Sequence, residues 1–168
     1  CSVDESFTSE VEKRLMLGNS IEKIDGVNQL VDIKKFHLDR IKSLFDIDYI
    51  SKRLKKMKLR IFVDSMHGSA ANCMAEIFAS NDLEVISEIR KDADPFFGGK
   101  PPEPLLNYAD DLKQTLMKNS TNEVKTLGII FDGDGDRIAA IDEKGRYSST
   151  QDLLPYFISY LGEIKNNS

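Results

Sequence analysis

The run Leu127-Gly128-Ile129-Ile130-Phe131 leads directly into Asp132-Gly133-Asp134-Gly135-Asp136-Arg137, and a second apolar run, Ile138-Ala139-Ala140-Ile141, follows at once. Few stretches restrict a fold more. Two short runs of this kind, split by a glycine-punctuated acidic loop, cannot share one helix. They are expected as two strands, Leu127–Phe131 and Arg137–Ile141, joined by a tight turn. Three carboxylates so close together repel one another, and each intervening glycine costs backbone entropy. Folding alone gives no reason to keep them. A divalent cation would cancel the repulsion, and an oxygen-lined loop would give the glycines a use.

On a straight strand, residues two apart lie about 6.6 Å from each other. Oxygens around an octahedral Mg²⁺ approach to about 3 Å. Asp132, Asp134 and Asp136 can therefore share one small ion only if the backbone curls, and Gly133 and Gly135 are expected to allow this through positive φ. Arg137 stands beside them as a planar donor suited to a phosphate oxygen drawn by the same metal. The plain alternative is a solvated acidic turn tip, opposed by the repulsion of unpaired like charges. A calcium loop of the EF-hand type also fits in part: counting from Asp132, acids fall at positions one, three and five, and Glu143 falls at twelve. Against it, position six is Arg137 where a glycine is needed, and the flanks lack helical spacing. An aspartate-nucleophile phosphotransferase would use Asp132 to attack phosphorus and Asp134 as acid–base. Enzymes of that haloacid-dehalogenase type carry the motif near the start of the chain, and too little sequence follows Asp136 for the rest of their sheet.

The other elements follow from periodicity and punctuation. Ser9 with Glu12 has the form of a capping box for a helix over 10–17, ended by Gly18. A connector spans 21–31. Apolar residues at helical spacing predict helices over 34–45 and 47–57, and Leu59–Val63 reads as a buried strand ending at Asp64. A helix is expected over Gly68–Ser80, with Ala70, Cys73, Ile77 and Phe78 inward. Leu83–Ile89 alternates as a half-buried strand does. Asp92–Pro104 is a long loop rich in proline and glycine, and a loop of that length is usually functional or covers something. A helix over Tyr108–Met117, a polar linker over Asn119–Lys125 and a final apolar helix over Gln151–Leu161 complete the chain. The order α–β–α–β–α–β–β predicts a three-layer α/β/α domain with a mostly parallel sheet and one antiparallel edge strand.

In such sheets, ligands collect at the carboxyl ends of the strands, which places Asp64 and Asp132 on one rim. Asp64 is expected to hold its turn by an Asx-type bond, His67 to stabilise the turn near Gly68, and Phe96 with Phe97 to anchor the loop. None of these is assigned a catalytic role. The chain of 168 residues is 40% hydrophobic and 30% charged with a net charge of −5, as expected of a soluble globular protein. The negative balance opposes nucleic acid or an anionic membrane as partner. The basic run Lys52-Arg53-Leu54-Lys55-Lys56-Met57-Lys58 fits a solvated helix end with cations complementing the dipole. Cys1 and Cys73 make neither a disulfide framework nor a metal knuckle, and there is no membrane-length apolar run or secretory segment. A reducing, cytoplasmic setting is expected.

Phe131-Asp132-Gly133-Asp134-Gly135-Asp136-Arg137 resembles the metal-binding loop of the α-D-phosphohexomutases, the phosphoglucomutase and phosphomannomutase family. Three further segments resemble that family in its own order. Ile61-Phe62-Val63-Asp64-Ser65-Met66-His67-Gly68 is similar to the first strand and turn of its second domain. Asp94-Pro95-Phe96-Phe97-Gly98-Gly99 with Pro102-Glu103-Pro104 is similar to its inter-element loop, in a form typical of phosphoglucomutase-like members. Ala140-Ile141-Asp142-Glu143-Lys144-Gly145 is similar to its closing hairpin.

The resemblance implies an isomerase that works as an intramolecular phosphotransferase on hexose phosphates. A phosphoserine gives its phosphoryl group to the sugar phosphate, and the resulting bisphosphate reorients and returns the other one. By the same resemblance Asp132, Asp134 and Asp136 are the Mg²⁺ ligands and Arg137 contacts the phosphoserine region. The family's Thr-x-Ser-His-Asn-Pro stretch is missing: neither His37 nor His67 follows a serine or precedes Asn-Pro. The expected organisation is the tail of a preceding domain and a linker over 1–32, the metal-loop domain over 33–149, and the first helix of a following domain over 150–168. Such a fragment would pack against neighbouring domains and would not turn over alone. A free-standing metal-binding module without catalysis is the alternative.

Overall fold

The computed structural model describes residues 3–18, 26, 29–79 and 85–166, of which 164–166 are described by backbone only. Two compact units emerge, Cys1–Asp32 and Ile33–Ser168.

The first unit holds α1 (Glu5–Met16), none of whose residues is buried. It starts five residues earlier than Ser9 and Glu12 imply. Asp4 is the cap: its carboxylate accepts the Phe7 N–H at 3.1 Å. A short side-chain acceptor already stands before the first turn, so the later Ser9 falls inside the helix. Gly18 ends the segment with φ +61. Of the connector expected over 21–31, only residues 26 and 29–31 lie among those described.

The second unit is built on a five-stranded sheet of order β2-β1-β3-β4-β5, with β1 (Leu59–Asp64), β2 (Ile86–Ile89), β3 (Lys125–Phe131), β4 (Ile138–Asp142) and β5 (Tyr147–Ser148). β2, β1 and β3 run parallel, β4 runs antiparallel to β3, and β5 pairs antiparallel with β4. The parallel core with an antiparallel edge is the α/β arrangement expected from the element order. The two-residue β5 extends that edge by one further strand. Of the strand expected over Leu83–Ile89, Leu83 and Glu84 lie outside the described residues, and β2 begins at Ile86.

Alternation along β1 sends side chains to two cores, because successive residues point to opposite faces. Val63 packs with Leu38 of α2 (Ile33–Leu44), Leu54 of α3 (Ile47–Lys56), and Ile77 and Phe78 of α4 (Cys73–Phe78). Phe62 packs on the other face with Leu112 and Leu116 of α5 (Asp110–Asn119), together with Ile130 and Ile141. The sheet is thus covered by helices on both faces. The basic run closes α3 and the turn after it, with Arg53, Lys55 and Lys56 in the last helical turn.

The helix expected over Gly68–Ser80 is shorter than its periodicity implies. Among the described residues of that range only Cys73–Phe78 is helical, and Met66, His67 and Asn72 all adopt positive φ (46°, 61° and 62°). Left-handed backbone cannot extend a right-handed helix, so residues 65–72 form a looped turn instead. Its contacts explain that geometry below. The last helix, α6 (Thr150–Asn166), runs five residues beyond the expected Leu161. Ser149 starts it: its N–H and hydroxyl donate to the Asp152 carboxylate, and the Asp152 N–H returns a bond to the Ser149 hydroxyl. Leu154, Phe157, Ile158 and Leu161 of α6 stay about half exposed or more.

Candidate metal centre

The parallel register aligns Asp64 at the end of β1 with Ile130, near the end of β3. Asp132 follows β3 directly, so both aspartates stand on one rim of the sheet, as strand order implies. Asp132 is 1% exposed, and both of its carboxylate oxygens accept hydrogen bonds. One oxygen accepts the backbone N–H groups of Gly135 and Arg137, both at 3.0 Å; the other accepts Arg137 Nε–H at 2.7 Å. These bonds fold the chain back over the side chain, so the β3–β4 connection becomes a closed loop. Within it, carboxylate oxygens of Asp132, Asp134 and Asp136 all lie within 4.8 Å of one another. The backbone thus curls enough to gather the three carboxylates, with up to 4.8 Å between their oxygens against the ~3 Å of ligands around a small ion.

The two loop glycines act by different means. Gly135 has φ +81, the left-handed conformation expected of it. Gly133 does not; it is required by close approach. A Cβ there would stand 2.9 Å from Pro102 Cγ and 3.2 Å from Phe97 Cε1. The loop Asp92–Pro104 presses on the acidic loop at this point, and Gly133 N–H donates to the Pro102 carbonyl at 3.0 Å. From the other side comes the turn after β1. Ser69 N–H donates to the Gly133 carbonyl at 2.9 Å, and a Cβ on Gly68 would meet that oxygen at 2.4 Å. The left-handed residues 66 and 67 set up this approach, which is why the helix begins late.

Electrostatics mark the loop as short of positive charge. Burial alone would raise the Asp132 carboxyl pKa; the Arg137 backbone N–H, its guanidinium and the Gly135 N–H outweigh burial and hold it below the ordinary value. Asp136 is pushed the other way, first by the charge of Asp134 and then by that of Asp132. The Arg137 pKa is raised, chiefly by its bond to Asp132, with Glu103 also contributing. One arginine faces three carboxylates, and a hard dication suits such an all-oxygen donor set.

The other named residues take supporting positions. Asp64 is 0% exposed. Its carboxylate accepts the Met66 N–H at 3.1 Å, the expected Asx-type bond, and also a two-point bond from the Arg90 guanidinium. Arg90 further donates to the Tyr108 carbonyl at 3.0 Å. Nothing local in the sequence pairs these two charges; they meet because β2 lies beside β1 in the sheet. His67 Nδ1 lies 2.7 Å from the Asp92 carbonyl and its ring lies against Gly98, so it ties the turn to the loop. Phe97 anchors the loop through its ring; Phe96, at 79% exposure, does not. Tyr147 on β5 fixes the far end of the loop by donating its hydroxyl to the Pro104 carbonyl at 2.6 Å.

Two of the alternative chemistries meet obstacles here. The acidic loop is flanked by β3 and β4, not by helices, and Glu143 sits beyond the far end of β4. Five strand residues separate it from the loop by about 15 Å, too far to complete a calcium loop. Asp132 is also ill placed as a nucleophile, since it is buried and both of its oxygens are bonded within the loop.

Residues 35–145 match the family description "Phosphoglucomutase/phosphomannomutase, alpha/beta/alpha domain II". The chain belongs to this family. It is 29% identical over 167 residues to a phosphoglucosamine mutase of Methanococcus vannielii, covering 97% of this chain and 34% of that protein. With human phosphoglucomutase-1 it shares 30% identity over 129 residues, covering 75% of this chain and 22% of the relative. The chain therefore spans about a third or less of the length of these curated relatives. Among solved structures, a phosphoglucomutase/phosphomannomutase family protein of Burkholderia thailandensis superposes with a TM-score of 0.60 at 21% identity, over 86% of this chain and 29% of that one. Parafusin of Paramecium, a phosphoglucomutase in its open form, gives 0.57 at 25% identity, over 76% and 23%. Among the described residues, no helix is long and apolar enough to cross a membrane.

Proposed function

We propose that this domain supplies the Mg²⁺-binding loop of a phosphohexomutase, which interconverts hexose 1-phosphates and 6-phosphates through a phosphoserine and a bound bisphosphate. The observation that carries the reading is the gathering of Asp132, Asp134 and Asp136 within 4.8 Å on a strand-end loop, inside the segment that matches the family. The three aspartates would hold the ion. Mg²⁺, when bound, neutralises charge that builds on a transferring phosphoryl group. Asp132 is oriented in advance by the two backbone N–H bonds to Oδ1, which metal binding would leave in place. Arg137 would meet phosphoryl oxygens in the phosphoserine region with its planar donors.

The substrate class proposed is a hexose phosphate. Relatives named as phosphoglucomutases and phosphoglucosamine mutases support it, and the Phe-Gly-Gly with Pro-Glu-Pro loop leans toward the glucose side. Thr-x-Ser-His-Asn-Pro occurs nowhere in these residues, so the chain by itself is proposed to be inactive. The exposed apolar residues of α6 support packing against further domains, in a cytoplasmic enzyme.

The test is a titration of the chain with Mg²⁺ and with Ca²⁺, read at the Gly133 and Gly135 amides by NMR. Loop-confined shifts with Mg²⁺, abolished by Asp134→Ala, are expected. Tight Ca²⁺ binding with changes spreading through 120–150 would replace this reading with a calcium module. Steady conversion of glucose 1-phosphate to glucose 6-phosphate by the pure chain would refute its inactivity.

A further inference from the structure

The bond between Arg137 and Asp132 uses an oxygen that the metal reading needs. Oδ1 of Asp132 already accepts two backbone N–H groups, those of Gly135 and Arg137. An sp² carboxylate oxygen offers two lone-pair directions, so Oδ1 is filled by bonds that also shape the loop. Oδ2 accepts Arg137 Nε–H at 2.7 Å and keeps a second lone pair, so an ion bound there would share the oxygen with the guanidinium. The two partners differ in mobility. Asp132 is buried, whereas the Arg137 side chain is 54% exposed and also lies 3.9 Å from Asp136 Oδ1. The guanidinium can therefore leave without opening the core.

We infer that Arg137 is an exchangeable stand-in cation: it holds Asp132 Oδ2 in the metal-free loop, and the incoming dication displaces it, freeing the guanidinium for an anionic ligand. The inference rests on the metal reading above. A dication and a guanidinium on one oxygen repel each other strongly at partly buried sites, and the arginine is the partner able to move. The backbone bonds to Oδ1 are untouched by the exchange, so the loop keeps its shape. Metal binding and arginine release thereby become one event, and the arginine faces a phosphate only when the ion is in place.

The experiment is ¹⁵N NMR of the arginine side chains in the full chain, with the Arg137 Nε–H signal identified by its loss in Arg137→Gln. Mg²⁺ is added while Asp134 and Asp136 carboxylate carbons report occupancy. The expected result is that the Arg137 Nε–H signal moves from its bonded position to that of a solvated arginine, in step with occupancy, while the Gly135 amide stays hydrogen-bonded. Arg137→Gln is expected to tighten Mg²⁺ by about tenfold, the equivalent of one lost competing charge-assisted bond. Occupancy with an unmoved Nε–H signal would overturn the exchange and leave the metal reading standing. Carboxylate carbons that never respond to Mg²⁺ would overturn both. Should Arg137→Gln not fold, Arg137→Lys also lacks Nε–H and identifies the signal.

Discussion

Asp64 and Asp132 make a natural pair for comparison. Each stands at the end of an apolar parallel strand, each is no more than 1% exposed, and each is bound by one arginine and by backbone N–H of its own turn, one for Asp64 and two for Asp132. The arginines differ. Arg90 is 12% exposed and is held a second time by the Tyr108 carbonyl, whereas Arg137 is 54% exposed. A buried ion pair with its remaining donors satisfied is a fixed part of the frame, and breaking it leaves an uncompensated charge. A buried carboxylate with an exposed partner is poised to take another cation. The same local design thus yields a clamp at β1 and, on the proposed function, a metal position at β3. The clamp holds the turn 65–69, and that turn holds the loop through Ser69 N–H and Gly133 carbonyl.

The largest expected effect comes from breaking the clamp. Arg90→Met strands the Asp64 carboxylate and is expected to cost about 3–5 kcal/mol, read as a lower midpoint in urea. Next comes crowding at the contact between turn and loop. Gly68→Ala forces a Cβ to within 2.4 Å of the Gly133 carbonyl, and Gly133→Ala meets Pro102 at 2.9 Å. Each is expected to lose about 1–3 kcal/mol, with metal affinity falling in parallel because the aspartates spread apart. Arg137→Gln sits at the opposite pole from Arg90→Met: thermal melting should shift by no more than about 2 °C, since a half-exposed partner contributes little to stability. Equal destabilisation by the two arginine substitutions would erase the distinction between clamp and binding position.

The smallest effect concerns acid. Asp94 is held below its ordinary pKa of 3.8, first by the Phe96 N–H and then by the Gly98 N–H. A lowered folded pKa means that this stabilisation is complete above the unfolded value and is lost as pH falls through the folded one. The Phe96 and Gly98 amide signals should therefore move together below pH 3.8, and Asp94→Asn should remove that step.

Much of this was legible in the residues. Apolar runs bounded by Asp64 and Asp132 fixed the strand ends, because alternation and carboxyl-end aspartates are local signals. The late start of α4 was not legible. Gly68–Ser80 has helical spacing, and the left-handed turn at Met66 and His67 goes with a contact between Gly68 and Gly133 that is distant in sequence. The role of Gly133 escaped for the same reason: its neighbours Pro102 and Phe97 lie far away in sequence. The start of α1 at Asp4 was missed because Ser9 and Glu12 carry an equally good capping pattern one turn later, and local patterns cannot rank two caps. The Arg90 clamp needed the strand order β2-β1-β3 before its two charges became neighbours.

The most direct test of the central claim is to soak crystals of the chain in Mn²⁺, a hard-oxygen surrogate for Mg²⁺ with strong anomalous scattering. An anomalous peak between Asp132, Asp134 and Asp136 is the predicted result, and it should vanish in Asp134→Ala. A peak elsewhere, or none at saturating Mn²⁺ with the three carboxylates still gathered, would contradict the claim that this loop is a metal centre.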